Sequence, residues 1–126
     1  MIICHKSRER ANVVGSMTAI GDVEGKNVVI VDDMVDTAGT ITKCANMLKE
    51  KGALSVRAMC THPVLSGNAY ERIAESAIQQ FLVTDTIPLR TDVDTSKFTV
   101  LSVAGVFADV IEKVYHFKSV SDTFAF

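Results

Sequence analysis

Two adjacent carboxylates, Asp32 and Asp33, follow the apolar run Val28-Val29-Ile30-Val31. A third, Asp36, opens a short stretch of small polar residues, Asp36-Thr37-Ala38-Gly39-Thr40. Ionised carboxylates accept hydrogen bonds from hydroxyls, whereas hydroxyls and backbone amides donate to anions. Neighbours at a strand end point to opposite sides, so the aspartate pair can reach more than one group. The small-residue stretch leads into helical spacing. A helix start offers unpaired amides and the positive end of a dipole, which attract phosphate. Gly39 allows close backbone approach, Ala38 keeps the loop narrow, and Thr37 and Thr40 add hydroxyl donors. A phosphate on the loop and a vicinal diol on the carboxylates would suit this segment together. The same residue types also make ordinary helix caps, and types alone do not choose between the two readings.

The elements that must position these residues are legible as alternating strands and helices. Val28 to Val31 is β-branched throughout, as in a strand covered on both faces of a parallel sheet. Ligands of open α/β sheets sit at the carboxyl ends of such strands, where Asp32 and Asp33 fall. Thr40 to Lys51 reads as a helix, because Ile41, Cys44, Ala45 and Leu48 fall on one face and Gly52 follows as a stop. Ser55 to Cys60 is the next strand, completing a right-handed βαβ unit. Ser66 caps a helix expected over 68–77. Strands are expected over 81–84 and 98–102, with an irregular polar stretch between them. Val103, Phe107, Val110, Ile111 and Val114 form a helical stripe that is core or subunit contact, not a cofactor box. Val13 to Ile20 is expected as a strand and residues 21–26 as a turn. Ile2-Ile3 reads as the end of a buried strand with nothing ahead of it, which favours a fragment of a longer protein. The expected architecture is one α/β domain with a mostly parallel sheet flanked by helices.

Composition narrows the function classes. The chain has 126 residues and a formal net charge of -2, so it presents no overall basic surface for nucleic acid. No apolar run approaches the roughly 20 residues of a membrane span, and the first residues turn charged too early for a signal peptide. Cys4, Cys44 and Cys60 form neither a CxxC nor a zinc spacing, which suits free thiols in a reducing cytoplasm. Gly21 to Lys26 has a partial likeness to a Walker A loop, but it is one residue short and precedes its strand, so a turn is expected. His62 is expected to hold a loop at a strand's carboxyl end, and Cys4-His5 is too isolated to bind metal.

The stretch from Val28 to Thr40, taken whole, resembles the ribose 5-phosphate-binding signature of the phosphoribosyltransferase-type fold, in the version typical of ribose-phosphate pyrophosphokinases. Lys6 to Ala19 resembles the family's basic stretch, with its Ala11-Asn12-Val13. Thr61-His62-Pro63-Val64-Leu65-Ser66-Gly67 resembles a family loop that simple phosphoribosyltransferases lack, and Thr84 to Leu89 and Ser119-Val120-Ser121 also fit. Essentially the whole chain matches in order. The resemblance implies a type I phosphoribosyltransferase-like fold, incomplete at its N-terminus and corresponding to the family's C-terminal half. It implies that Asp32 and Asp33 take the ribose 2- and 3-hydroxyls, directly or beside a bound Mg²⁺ that they would ligate. Asp36, Thr37, Ala38, Gly39 and Thr40 would hold the 5-phosphate.

The parent reaction transfers pyrophosphate from ATP to the 1-hydroxyl of ribose 5-phosphate, in cytoplasmic enzymes that assemble as hexamers built from dimers. The family's adenine contacts, pyrophosphate loop and mobile basic loop all lie upstream, and Lys6, Arg8 and Arg10 come after them in family order. No catalytic residue is therefore expected here, ATP would bind only with the N-terminal half, and the chain alone should not turn over. Ser119, Val120 and Ser121 match a segment near an allosteric site for ADP or phosphate between subunits, a site incomplete without the N-terminal domain. An ordered C-terminal strand is the simpler expectation there. Two other readings stand beside this one: a phosphoribosyltransferase, and a non-catalytic regulatory or associated subunit. The Thr61 to Gly67 loop argues against the first. Against the second stands the intact Asp32-Asp33 pair with its Thr37 to Thr40 loop.

Overall fold

The computed structural model describes residues 3–6 and 17–124. Its first two strands, β1 (Ile3–Lys6) and β2 (Met17–Ile20), pair antiparallel with Ile3 opposite Ile20 and Lys6 opposite Met17. The expected strand over 13–20 is present from Met17, and its earlier part lies outside the described residues, as do Arg8 and Arg10. Next come β3 (Asn27–Val35), α1 (Gly39–Glu50), β4 (Ser55–Pro63), α2 (Ala69–Glu75), β5 (Ile78–Thr84), β6 (Phe98–Leu101) and α3 (Ala104–Tyr115). A 3₁₀ turn over Ser121–Phe124 follows. Strands β3, β4, β5 and β6 form one parallel sheet in that order. The α/β architecture with a mostly parallel sheet is as the sequence predicts.

Both crossover helices lie on one face, and the core sits beneath them. The α1 stripe Ile41, Cys44, Ala45 and Leu48 is buried as its spacing requires, together with Thr42. It meets Val56, Ala58 and Cys60 of β4 and Ile78, Phe81 and Val83 of β5. Each large side chain buried this way contributes about 1.5–3 kcal/mol. Helix α1 stops where glycine was expected: Gly52 takes φ 89°, and the amides of Gly52 and Ala53 return to Lys49 O and Leu48 O at 3.1 Å each. The thiols of Cys44 and Cys60 are free and buried.

Several boundaries differ from expectation. Strand β3 runs four residues past Val31, through both carboxylates, because β4 is also longer and keeps pairing with it out to Val35 opposite Pro63. Thr61, His62 and Pro63 are therefore strand, not loop. Helix α2 is shorter than the stretch 68–77, and its N-cap is Asn68, so Ser66 does not cap it. The sheet face opposite α1 and α2 leaves Val29, Val31 and Met59 exposed. The α3 stripe is not core: that helix has no buried residue, and Phe107, Ile111 and Val114 are each at least 60% exposed.

Candidate functional site

The carboxylates are fixed by strand pairing. Asp32 lies level with Cys60 and Met34 with His62 on the neighbouring strand. The amide of Asp33 donates to Asp32 Oδ1 at 3.0 Å. Alternation then separates the pair: Asp32 lines a cavity of about 240 Å³ together with residues 34–41, and Asp33 does not. Partial burial raises the Asp32 carboxyl from its ordinary value; the hydrogen bond from the Asp33 amide opposes that shift, and the Asp33 carboxyl adds to it. The Cys60 thiol is pushed up to about 11 by its burial and by the Asp32 charge, so it stays protonated at neutral pH.

The loop that forms the rest of the cavity is held from several directions. Ser66 donates its hydroxyl to Asp36 Oδ1 and its amide to Asp36 O, the latter at 3.1 Å. Leu65 donates its amide to Val35 O at 3.1 Å. Arg72 Nη1 donates to Thr37 O at 2.8 Å. Thr42 donates both its amide (3.1 Å) and its hydroxyl (2.8 Å) to Ala38 O.

The sequence places the permissive residue at Gly39, yet the left-handed position is Ala38, with φ 59° and ψ 2°. An alanine there costs on the order of 1–2 kcal/mol. Gly39 has ordinary helical backbone and opens the helix. A methyl built on it would meet Arg72 Nη1 at 3.5 Å and Thr37 Oγ1 at 3.9 Å, both ordinary contacts. Among the described residues nothing therefore requires glycine at that position.

The helix-cap account of this segment fails at its own position. The N-cap residue of α1 is Ala38, one of the poorest capping types, and no side chain caps the helix start. A strained turn followed by an uncapped helix start makes a concave group of amides, an arrangement that accepts anions. Residues 37–40 at that opening line the cavity, as does Asp32.

The chain is similar to known proteins over nearly its whole length. A family model, the phosphoribosyl synthetase-associated domain, matches residues 6–125. The chain belongs to that family. The ribose-phosphate pyrophosphokinase of Wolinella succinogenes is 54% identical over 124 residues, covering 98% of this chain and 40% of that protein. The Campylobacter jejuni ribose-phosphate pyrophosphokinase is 56% identical with the same coverage. Among solved structures, phosphoribosylpyrophosphate synthetase from Mycobacterium smegmatis superposes with a TM-score of 0.82 at 39% identity, covering 92% of this chain and 37% of that one. The chain thus spans about 40% of the length of the curated relatives it matches.

Within this phosphoribosyl synthetase-associated domain, the structure gathers Asp32, Asp36, Thr37, Ala38, Gly39 and Thr40 around one cavity. It sets Asp33 beside it and Ser119, Val120 and Ser121 elsewhere. There, Ser121 N donates to Ser119 Oγ at 3.2 Å, opening the 3₁₀ turn where a strand was expected. Thr123 ties that turn to α3 through Asp109 (2.8 Å) and Lys113 (2.6 Å). His62 has the structural role expected of it, with Nδ1 3.0 Å from Thr86 Oγ1, and Thr86 in turn donates to Thr61 O at 2.9 Å.

Sequence reasoning missed Arg72, Ser66 and Thr42 as partners of the loop. Only Thr42 carried a signal, since a threonine four residues after a turn commonly bonds back to the carbonyl there. Among the described residues no group of three or more His, Cys, Asp and Glu side chains could cage a metal. Mg²⁺ does not need one. It takes one or two carboxylates and completes its shell with water and substrate phosphate oxygens, and Asp32, which lines the cavity, is one such carboxylate.

Proposed function

We propose that this chain is the ribose 5-phosphate-binding portion of a ribose-phosphate diphosphokinase, corresponding to the family's C-terminal half. The parent protein would transfer pyrophosphate from ATP to the sugar's 1-hydroxyl, giving phosphoribosyl pyrophosphate and AMP for nucleotide synthesis in the cytoplasm. The observation that carries this reading is the uncapped start of α1, entered through left-handed Ala38 and opening on a cavity with Asp32 at its side. In it, the amides and hydroxyls of residues 37–40 receive the 5-phosphate, while Asp32 and Asp33 accept hydrogen bonds from the ribose hydroxyls. Asp36 is engaged by Ser66, so its role is to anchor the loop as much as to face the ligand. Mg²⁺, when bound at Asp32 and Asp33, would neutralise charge between the carboxylates and the phosphates.

The family identity favours an enzyme portion over a phosphoribosyltransferase, and the intact loop favours a working site over an inert associated subunit. The groups that hold ATP are expected in the rest of the parent protein, which also supplies surfaces for a homo-oligomer. Alone, this chain binds sugar phosphate without turnover. Calorimetric titration with ribose 5-phosphate, with and without Mg²⁺, tests the site: saturable binding strengthened by Mg²⁺ is expected. No heat at millimolar ligand under either condition would sink the reading. ATP-dependent AMP formation by the isolated chain at an ordinary enzymatic rate would sink the division of labour.

A further inference from the structure

We infer that Arg72 is a positioning residue that, with Thr42, locks Ala38 in its left-handed conformation and so aims the loop amides at the anion; this rests on the sugar-phosphate reading above. The φ and ψ of Ala38 are set by the two peptide planes that flank it. Each plane is held through its carbonyl by a side chain from elsewhere. Arg72 Nη1 takes the Thr37 carbonyl at 2.8 Å, and Thr42 Oγ1 takes the Ala38 carbonyl at 2.8 Å. No peptide bond among the described residues is cis, and in a trans peptide the C=O and N–H point opposite ways. Drawing the Thr37 oxygen toward Arg72 therefore turns the Ala38 amide away from it. Holding the Ala38 oxygen down the helix turns the Gly39 amide out of the helix start. A strained conformer of this kind persists only where its surroundings over-determine it.

Charge supports the same assignment. Asp32 and Asp36 both line the cavity, which disfavours an anion. The Arg72 guanidinium is a cation bonded directly to the loop, with Nη1 3.5 Å from where a Gly39 Cβ would stand. The residue is exposed on α2, so truncating it removes no core packing.

Two measurements on Arg72→Ala and Arg72→Lys test the inference. The first needs no ligand. Hydrogen exchange of the Thr42 amide, which bonds to Ala38 O, should quicken several-fold in Arg72→Ala and return toward wild type in Arg72→Lys, with β4 and β5 amides unchanged. The second is titration with ribose 5-phosphate. Arg72→Ala should bind about three- to tenfold more weakly, the range expected for the net loss of one ordinary hydrogen bond at an exposed site, and the lysine variant should recover most of the loss. Unchanged exchange of the Thr42 amide in Arg72→Ala would overturn the clamp. Faster exchange with undiminished binding would overturn its role in presenting the anion site. Should the wild type bind no ribose 5-phosphate while exchange still quickens, the clamp stands and the sugar-phosphate reading is what fails.

Discussion

Replacing Gly39 by alanine should stabilise the protein and damage its site, two effects of opposite sign from one methyl. Gly39 is the first residue of α1, with helical backbone and no positive φ. The new methyl would stand 3.5 Å from Arg72 Nη1 and 3.9 Å from Thr37 Oγ1, so the folded protein accommodates it without displacement. Exchanging glycine for alanine at such a compatible position raises stability by about 0.4–1 kcal/mol, chiefly by restricting the unfolded chain. The same methyl lies among the loop groups that line the cavity, next to the Thr37 hydroxyl. An anion accepting hydrogen bonds there needs donors at about 2.7–3.2 Å, and a methyl in that approach keeps it out. A tenfold loss of ribose 5-phosphate affinity, about 1.4 kcal/mol, is the least expected. Urea unfolding and calorimetric titration measure the two halves separately. A variant that is less stable than wild type by 1 kcal/mol or more would show that the protein itself needs glycine. A variant that binds the sugar phosphate as tightly as wild type would show that the anion sits elsewhere.

Two further outcomes follow from burial and charge. Leu48→Ala, which empties a fully buried position beneath α1, should cost about 2–5 kcal/mol in denaturant unfolding, and a loss below 1 kcal/mol would contradict the placement of the core under that helix. Asp32→Asn should alter the acid side of the stability profile. Burial raises the Asp32 carboxyl above 3.8, so the folded chain binds this proton more tightly than the unfolded chain. The wild type is therefore favoured below the unfolded value and loses that contribution as pH rises through the folded value. Melting temperatures of the asparagine variant should gain on the wild type across that window, and a constant difference would refute the assigned shift.

Much of this was legible because it rests on local rules. The α1 stripe follows from spacing, its stop from Gly52, and the order of strands from the βαβ pattern. Residue types alone leave the Asp36 to Thr40 segment open between an anion loop and a helix cap, and only the whole stretch from Val28 to Thr40 tips the balance. What the sequence hides is non-local. Nothing in Asp32-Asp33-Met34-Val35 announces a strand; its extension comes from pairing with Ser55–Pro63, itself longer than its apolar run. The left-handed turn falls on Ala38 and not on the neighbouring glycine because side chains 4 and 35 residues from the carbonyls they hold fix the flanking peptides. Of the two readings of the α3 stripe, core or subunit contact, the structure removes the first, because periodicity reports that a face is apolar, not what it meets.

The carboxylates in the cavity pose the sharpest electrostatic question, and magnitudes decide it. A carboxylate about 4 Å from a phosphate charge, at the effective dielectric of a protein surface, repels it by about 4 kcal/mol. A helix start contributes about 0.3–1 kcal/mol toward an anion, and about 2 kcal/mol in the most favourable partly buried cases. The dipole alone therefore cannot offset Asp32, which lines the cavity without a basic side chain bonded to it among the described residues. Asp36 is different, because Ser66 engages its oxygen. On the proposed reading, Arg72 and a dication would supply the remainder. Asp32→Asn should then bind ribose 5-phosphate more weakly than wild type in Mg²⁺, where the carboxylate works with the metal. In a chelator the order should reverse, because only the repulsion has been removed. Titrations of both proteins in Mg²⁺ and in EDTA would show the reversal, and a wild type that binds better under both conditions would mean that Asp32 acts on the sugar hydroxyls without a cation.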